Sequence, residues 1–299
     1  MIVRKTAGKE QHNVRLDDAI ASLCDGLSKS EARRIIDRGG CTVNVALVRV
    51  ASRSVKEGDV IEIGIMETGR FEELHLPPEA LLYEDAELIA VNKPAGINSQ
   101  RTPYQLKGTL EYWVSEYFKA QGSSESARVV HRLDRGTSGA MLFPKNRPAA
   151  ARLSKQFQDG QVEKLYLALV SGRPDTEKWV VDAPIGKIAP ARYGVVEGGK
   201  ASVTEFRTVA SSGDVSLVEA KPLTGRTHQI RVHLATAGFP ILGDLTYGGQ
   251  TAGRMMLHCA SMTFQNSQKV AVKISAPPCG EFAEQAERLA QTTPQKPVR

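Results

Sequence analysis

Asp134 is the residue whose surroundings most directly set up chemistry. It lies between Arg132 and Arg135 in the stretch VVHRLDRGTSGAMLF, Val129 to Phe143. The flanks of that stretch are apolar and strand-like. Its middle is polar and carries Gly136 and Gly139, whose backbone freedom suits a sharp turn that lifts a side chain into a cleft. A carboxylate with a guanidinium close by stays ionised at neutral pH. An ordinary loop aspartate paired to arginine fits the same residues, and this stretch alone does not separate the two.

Two further stretches supply candidate partners. In Lys164 to Val170 (KLYLALV), strand alternation places Lys164, Tyr166 and Ala168 on one face and Leu165, Leu167 and Leu169 on the other. Such a face could carry a flat base stacked on the tyrosine ring, although a strand tyrosine also serves simply as core. In Leu223 to Leu234 (LTGRTHQIRVHL), Thr224 or Thr227 can cap a helix in which Ile230 and Leu234 pack inward. Arg231 stands between them, free to point into a cleft. His228 and His233 are five residues apart, which does not put both on one helical face and argues against a metal pair. The segment Ala237 to Asp244 (AGFPILGD) reads as a turn-rich loop that closes the site.

Positioning these residues falls to a second, larger unit of the chain. Up to about residue 65 the sequence reads as a compact module. Leu16, Ile20 and Leu23 share one helical face. Ser28 and Glu31 form a capping-box pattern that opens a helix with Ala32, Ile35 and Ile36 inward and Lys29, Arg33, Arg34 and Arg38 outward. Gly39-Gly40 ends it, and two short strands follow, Cys41 to Val45 and Val60 to Ile63. Residues Gly64 to about Pro78 lack periodicity and read as a linker. Beyond it, strand-like runs at Glu87–Val91, Leu165–Val170, Val215–Ala220 and Val270–Ile274 mix with helical patterns at Leu110–Ala120, Arg147–Asp159 and Thr227–Ala237. No regular crossover helix separates the strands. The fold class expected is therefore α+β: a mixed, largely antiparallel sheet domain with flanking helices and a central cleft, plus a small N-terminal α/β module. The domains expected are residues 1–70, residues 80–285 and a flexible tail over 286–299.

Composition narrows the function classes. The 299 residues are 41% hydrophobic and 24% charged, ordinary for a soluble globular protein. With 39 Lys and Arg against 33 Asp and Glu, the net charge of +6 permits a nucleic-acid partner. The four cysteines form no CxxC pair and read as reduced thiols. Met1 to Asn13 lacks the apolar core of a signal peptide, and no run reaches a bilayer-spanning length. A cytoplasmic monomer with no membrane partner is the expectation. There is no P-loop, dinucleotide fingerprint or metal-ligand cluster, so neither cofactor nor metal is called for.

Taken together, HRLDRGTSG, KLYLALVSG and LTGRTHQIRVHLATAGFPILGDLTYGG resemble the signature motifs of the pseudouridine synthase family that modifies large-subunit ribosomal RNA and some transfer RNAs. YEDAELIAVNKPAG (Tyr83 to Gly96) and RMMLHCASMTF (Arg254 to Phe264) are similar to that family's flanking elements. The stretch RLDDAIASL…LSKSEARRIIDRGGCTVN…SVKEGDVIEI resembles the alpha-L RNA-binding module, with Val45-Ala46 where that module usually turns on a glycine. The likeness spans about Arg15 to Pro278.

What the resemblance implies is concrete. Asp134 corresponds to the catalytic aspartate, Tyr166 to the tyrosine that stacks on the target base, and Arg231 to the arginine that pairs with the aspartate. Leu234 falls near the apolar residue that covers the base, and Arg132 contacts RNA beside it. Lys29, Arg33, Arg34 and Arg38 bind RNA phosphates. The loop Ile97 to Pro103 departs from the family's usual small apolar residues and histidine, which bears on substrate choice. The reaction breaks the N1–C1′ bond of uridine and joins C5 to C1′ with no net gain or loss of atoms. It needs a nucleophile or charge stabiliser, a proton-moving group and no cofactor. The partner implied is structured RNA, 23S ribosomal RNA first. Other readings are the same fold acting on transfer RNA, a non-catalytic ribosome-assembly factor, and a metal-dependent hydrolase using Asp134 and His131.

Overall fold

The computed structural model describes residues 2–64, 74–102, 105 and 107–292. The linker segment Met66 to Arg70, Pro103 of the divergent loop and residues 293–299 of the expected tail lie outside the described residues. By backbone proximity the chain divides into two compact units. One is Met1–Leu76 with Asn98–Ala127, and the other is Pro77–Ile97 with Arg128–Arg299.

The first unit contains β1 (Ile2–Thr6), α1 (Leu16–Leu23), α2 (Lys29–Asp37), β2 (Cys41–Val43), β3 (Ala46–Leu47), β4 (Val60–Gly64) and α3 (Leu110–Ala120). Its antiparallel sheet runs β1-β4-β2-β3. β1 carries no apolar alternation in the sequence; pairing with β4, Val3 opposite Ile63, makes it a strand. Leu16, Ile20, Ile35 and Ile36 from the helices meet Cys41, Val43, Ile61 and Ile63 from the sheet in one buried cluster. The start of α1 has no side-chain cap. Instead the amides of Leu16 and Asp17 donate to the carbonyls of Arg53 and Ala51, at 2.8 and 3.1 Å. α2 has the reciprocal capping box expected: Glu31 N donates to Ser28 Oγ, and Ser28 N donates to Glu31 Oε2.

The basic face of α2 is partly committed to its own unit. The Asp17 side chain is fully buried and receives Arg15 Nε and Nη2 at 3.0 and 2.9 Å, and Arg33 Nη2 at 3.0 Å. Lys29 Nζ pairs with Asp18 at 2.7 Å. Lys29, Arg33 and Arg34 still expose much of their length. Arg38 does not: it is 8% exposed at the C-cap of α2, which corrects its expected outward placement. It lies close to Lys107, itself paired to Asp37 at 2.7 Å, so residues distant in sequence crowd this end of the helix.

The hairpin joining β2 and β3 is a two-residue turn with Asn44 at φ 51° and Val45 at φ 70°, between Val43 and Ala46. Two left-handed residues in sequence suit asparagine and glycine, and a β-branched residue there is strained. Val45 is also 86% exposed, so no packing offsets the strain.

In chain order the second unit contains β5 (Leu81–Glu84), β6 (Leu88–Lys93), β7 (Ser138–Pro144), α4 (Arg147–Gln158), β8 (Glu163–Ser171), β9 (Lys178–Asp182), β10 (Ile185–Ala189) and β11 (Arg192–Val195). It continues through β12 (Val203–Ser212), β13 (Val215–Pro222), α5 (Gln229–Thr236), β14 (Leu257–Gln265), β15 (Ala271–Ser275) and α6 (Gly280–Thr292). Among the described residues these build a nine-stranded sheet in the order β5-β6-β7-β14-β8-β13-β12-β9, with β15 paired to β14. Only β7 and β14 run parallel; the other pairs are antiparallel, as an α+β mixed sheet requires. β10 and β11 form a separate hairpin. α6 extends to Thr292 and seats Phe282 and Leu289 in the core, in keeping with the helical pattern that the sequence allows over Glu281 to Ala290, and the expected tail boundary at 286 falls within it. Among the described residues no helix is long and apolar enough to cross a membrane.

Two outcomes follow for the first unit. The Arg15 and Arg33 hydrogen bonds hold the Asp17 carboxyl down to about 2 against burial. Its contribution is therefore present above pH 4 and lost as pH falls toward 2. Hydrogen exchange of α1 and α2 amides should show Asp17→Asn less protected than wild type at pH 6, with the two converging near pH 2. Val45→Gly should relieve the turn and raise this unit's stability by about 1 kcal/mol, read as a higher denaturation midpoint.

Candidate active site

A cavity of about 320 Å³ opens in the second unit, walled by Asp134, Lys164, Tyr166, His228, Ile230 and Arg231 among others. That volume lies at the lower end of small-ligand sites. Asp134 sits in the turn that leads into β7, its carbonyl accepting from Thr137 N at 3.0 Å. The glycines there play different parts. Gly136 has no left-handed φ, whereas Gly139 has φ 116°, and a Cβ on it would run into the backbone of Cys259. Only glycine lets β7 lie this close to β14. Gly139 pairs with Cys259, and Cys259 pairs with Tyr166, so one row across three strands ties the Asp134 turn to the tyrosine.

Lys93 holds the same turn from beneath. Its fully buried ammonium donates to the carbonyls of Ile97, Pro94 and Arg135 at 2.8, 2.9 and 3.3 Å. Arg135 also exchanges hydrogen bonds with Gly96, donating through Nε at 2.9 Å and accepting at 2.7 Å. Burial pushes Lys93 down to about 7, with the nearby Asp134 charge opposing the shift.

Arg231, on the first turn of α5, reaches Asp134 Oδ2 with Nη1 at 3.0 Å. Its other edge grips Asp244 through Nε at 2.7 Å and Nη2 at 2.9 Å, and its guanidinium lies 4.9 Å from the centre of the Tyr247 ring. The helix is anchored by Gln229. That amide donates to Val203 O and Thr204 Oγ1 and accepts from Arg226 N and Thr224 Oγ1. Neither Thr224 nor Thr227 caps α5; its N-cap is His228, at φ 57°. His233 donates through Nε2 to Ala183 O at 3.1 Å and meets Thr204 Oγ1 at 2.9 Å, a packing role inside the unit.

Tyr166 lines the cavity half-buried, and burial pushes its phenol well above the usual range. Arg132 stands at the cavity wall with Nη2 3.5 Å from Thr227 Oγ1. Leu234 is a correction: it is fully buried in the core, and Ile230, one turn earlier, lines the cavity. Both residues pack inward, but only the helix start is open to the cleft. Asp244, Tyr247 and His228 were not expected as site residues. All three lie inside the LTGRTHQIRVHLATAGFPILGDLTYGG stretch, where nothing in residue type or spacing pairs Asp244 with Arg231. His131 accepts from Leu142 N at 2.9 Å and stacks on Phe157, and burial pulls its imidazole down to about 3. Among the described residues no three His, Cys, Asp or Glu side chains gather as a metal set.

Comparison with known proteins gives the family. Residues 87–236 match the family model described as RNA pseudouridylate synthase. The chain belongs to the RNA pseudouridine synthase family. An RNA pseudouridine synthase of Bacillus subtilis is 39% identical across 68% of this chain and 70% of its own length. Ribosomal large subunit pseudouridine synthase D of Zymomonas mobilis is 35% identical across 81% of this chain and 80% of its own. Among solved structures, human RNA Pseudouridylate Synthase Domain Containing 1 is 29% identical with a TM-score of 0.56, over 77% of this chain and 99% of that one. As a pseudouridine synthase the chain is an isomerase that converts uridine to pseudouridine in RNA.

Lys93→Met tests how firmly the Asp134 turn is held. The carbonyls of Pro94 and Ile97 lose the lysine donor while that of Arg135 keeps Gly96 N, which should destabilise the protein by about 2 kcal/mol in denaturant. Because folding lowers the lysine's pKa, wild type should gain stability relative to the variant as pH rises from about 7 toward 10.5. A variant equal to wild type in midpoint across that window would dismiss the structural role of Lys93.

Proposed function

We propose that the protein isomerises specific uridines in large-subunit ribosomal RNA, with the Asp134 carboxylate as the group that acts on the flipped nucleotide. The observation that carries this reading is the meeting of Asp134, Arg231 and Tyr166 in one nucleotide-sized cavity. The ribosomal substrate is supported by the relative named as a ribosomal large subunit pseudouridine synthase.

A uridine within a helix must leave its stack to reach such a cavity, at a cost of a few kcal/mol. Phosphate contacts offset that cost. Lys29, Arg33 and Arg34 in the N-terminal module, read as RNA-binding, and Arg132 at the cavity wall are the groups assigned to them. Inside the cavity the Tyr166 ring offers a stacking surface, and its raised pKa keeps the hydroxyl protonated, a donor at neutral pH. Ile230 supplies the apolar cover expected of Leu234. Arg231 holds Asp134 Oδ2 at 3.0 Å and fixes its direction, so the carboxylate meets the nucleotide without reorganising. The protein is expected to act as a cytoplasmic monomer.

Asp134→Asn keeps the shape of the side chain and removes its charge. Pseudouridine formation in ribosomal RNA should fall by at least about 10³-fold, with RNA affinity within a few-fold of wild type. Mapping of the modified positions in RNA from cells with and without the gene identifies the substrate; new sites confined to transfer RNA would transfer the proposal to that class. Full activity in Asp134→Asn would overturn the role given to the carboxylate.

A further inference from the structure

We infer that His228 is a positioning residue for Asp134: as a neutral imidazole it points Nε2–H at Oδ2 of the carboxylate, sharing that oxygen with Arg231 and leaving Oδ1 to face the nucleotide. The inference rests on the reading of Asp134 as the reacting carboxylate. His228 Nε2 lies 3.7 Å from Asp134 Oδ2, beyond hydrogen-bond length but near enough for an N–H dipole to face the charge. Arg231 Nη1 reaches the same oxygen at 3.0 Å. Among the described residues no donor reaches Oδ1.

The tautomer follows from the other side of the ring. His228 Nδ1 lies 2.8 Å from the Tyr247 hydroxyl, and that hydroxyl already accepts from Tyr193 N at 3.0 Å. The tyrosine proton has no other acceptor among the described residues, so Tyr247 donates to Nδ1 and the ring's own proton sits on Nε2. The edges of Tyr193 and Tyr247 hold the ring in place, with centroids 5.4 and 5.7 Å away. Burial also favours the uncharged ring.

The backbone supports a functional role. His228 occupies φ 57° at the start of α5 and makes no capping hydrogen bond with its side chain. A non-glycine residue in the left-handed region is strained, and such strain persists where the surroundings enforce it. Here it sets the imidazole beside the carboxylate. Tyr193 lies on β11, so the β10–β11 hairpin takes part in fixing the ring.

Three substitutions separate the possible roles. His228→Gln retains an N–H donor at the position of Nε2. His228→Asn retains a polar partner for Tyr247 but cannot reach Asp134. His228→Ala retains neither and carries the same backbone strain as the glutamine variant. Single-turnover pseudouridine formation would be measured on total RNA extracted from cells lacking the gene, so activity is scored whichever RNA is the substrate. The maximal rate should fall about 10- to 100-fold in the Asn and Ala variants and stay within about 5-fold in Gln. The RNA concentration at half-maximal rate should change less than about 3-fold in all three. A glutamine variant as slow as alanine, or a loss confined to the half-maximal concentration, would overturn the inference.

A second measurement does not depend on substrate. The 15N spectrum of the histidine rings should show His228 protonated on Nε2 and unprotonated on Nδ1. Tyr247→Phe, which keeps the ring over Arg231, should mix the two tautomers. A wild-type ring protonated on Nδ1 would sink the proposal. If Asp134→Asn is inactive while these patterns fail, the fault lies with His228 alone; if Asp134→Asn is active, the underlying reading fails first.

Discussion

One guanidinium serves two carboxylates, and the geometry of the cavity depends on how it is divided. Arg231 gives a two-pronged grip to Asp244, which is 2% exposed, and a single arm to Asp134. The bidentate pair is the stronger and more directional one, so it fixes the guanidinium, and the free arm then fixes Asp134. With His228 neutral, the cluster of Arg231, Asp134 and Asp244 carries one net negative charge. A buried excess charge would be costly, yet Asp134 keeps 23% of its side chain exposed at the cavity. Breaking the N1–C1′ bond of uridine draws electrons toward the base and leaves C1′ electron-poor. A site with one unmatched carboxylate is suited to that moment of the proposed reaction.

The sheet supplies the other half of the constraint. Asp134 and Tyr166 are brought together by β7, β14 and β8, whose register aligns Gly139, Cys259 and Tyr166. Parallel pairing of β7 with β14 needs the backbone to approach where Gly139 stands, and the Cys259 backbone occupies the place of a side chain. The Lys93 ammonium then locks the neighbouring turn by saturating three carbonyls that no strand pairs. Rigid strands, a buried lysine beneath the turn and a bidentate ion pair thus fix one carboxylate from three directions. That is the pre-organisation which a charge-based mechanism requires.

How much of this was legible in the sequence follows from the range over which each feature acts. Local patterns read well. The Leu110–Ala120 helix has the expected bounds, and the Ser28–Glu31 capping box forms as its spacing dictates. The three residues expected at the centre of the site do gather in one cavity, because their motifs carry the resemblance. Features set by contacts distant in sequence were not legible. β1 is polar and becomes a strand only beside β4, and the strands between Lys178 and Ser212 lack a periodicity strong enough to mark them. Arg38 belongs to a basic helix in sequence but is covered in the fold. Leu234 and Ile230 are equivalent by helical spacing, and only the position of the cleft distinguishes them. Asp244 had the right chemistry, but its partner lies thirteen residues away across a turn.

The histidines show why charge in the cavity is simple although imidazoles are common in the motifs. His131, His233 and His258 each spend ring nitrogens on groups inside the fold: a Leu142 amide, an Ala183 carbonyl and Thr204 hydroxyl, and an Ala276 carbonyl and Ser138 hydroxyl. Burial pulls all three below the usual imidazole range, as it does His228. A buried ring with a fixed tautomer behaves as a rigid polar strut and not as a titrating group. Of the cations near Asp134, Arg231 holds its proton at any physiological pH, while burial brings Lys93, behind the turn, down to about 7. Such a carboxylate keeps its direction and its counter-charge across neutral pH. Selectivity among uridines is then a matter for the groups that meet the RNA, which the arginine and histidine contacts around the carboxylate leave free to vary.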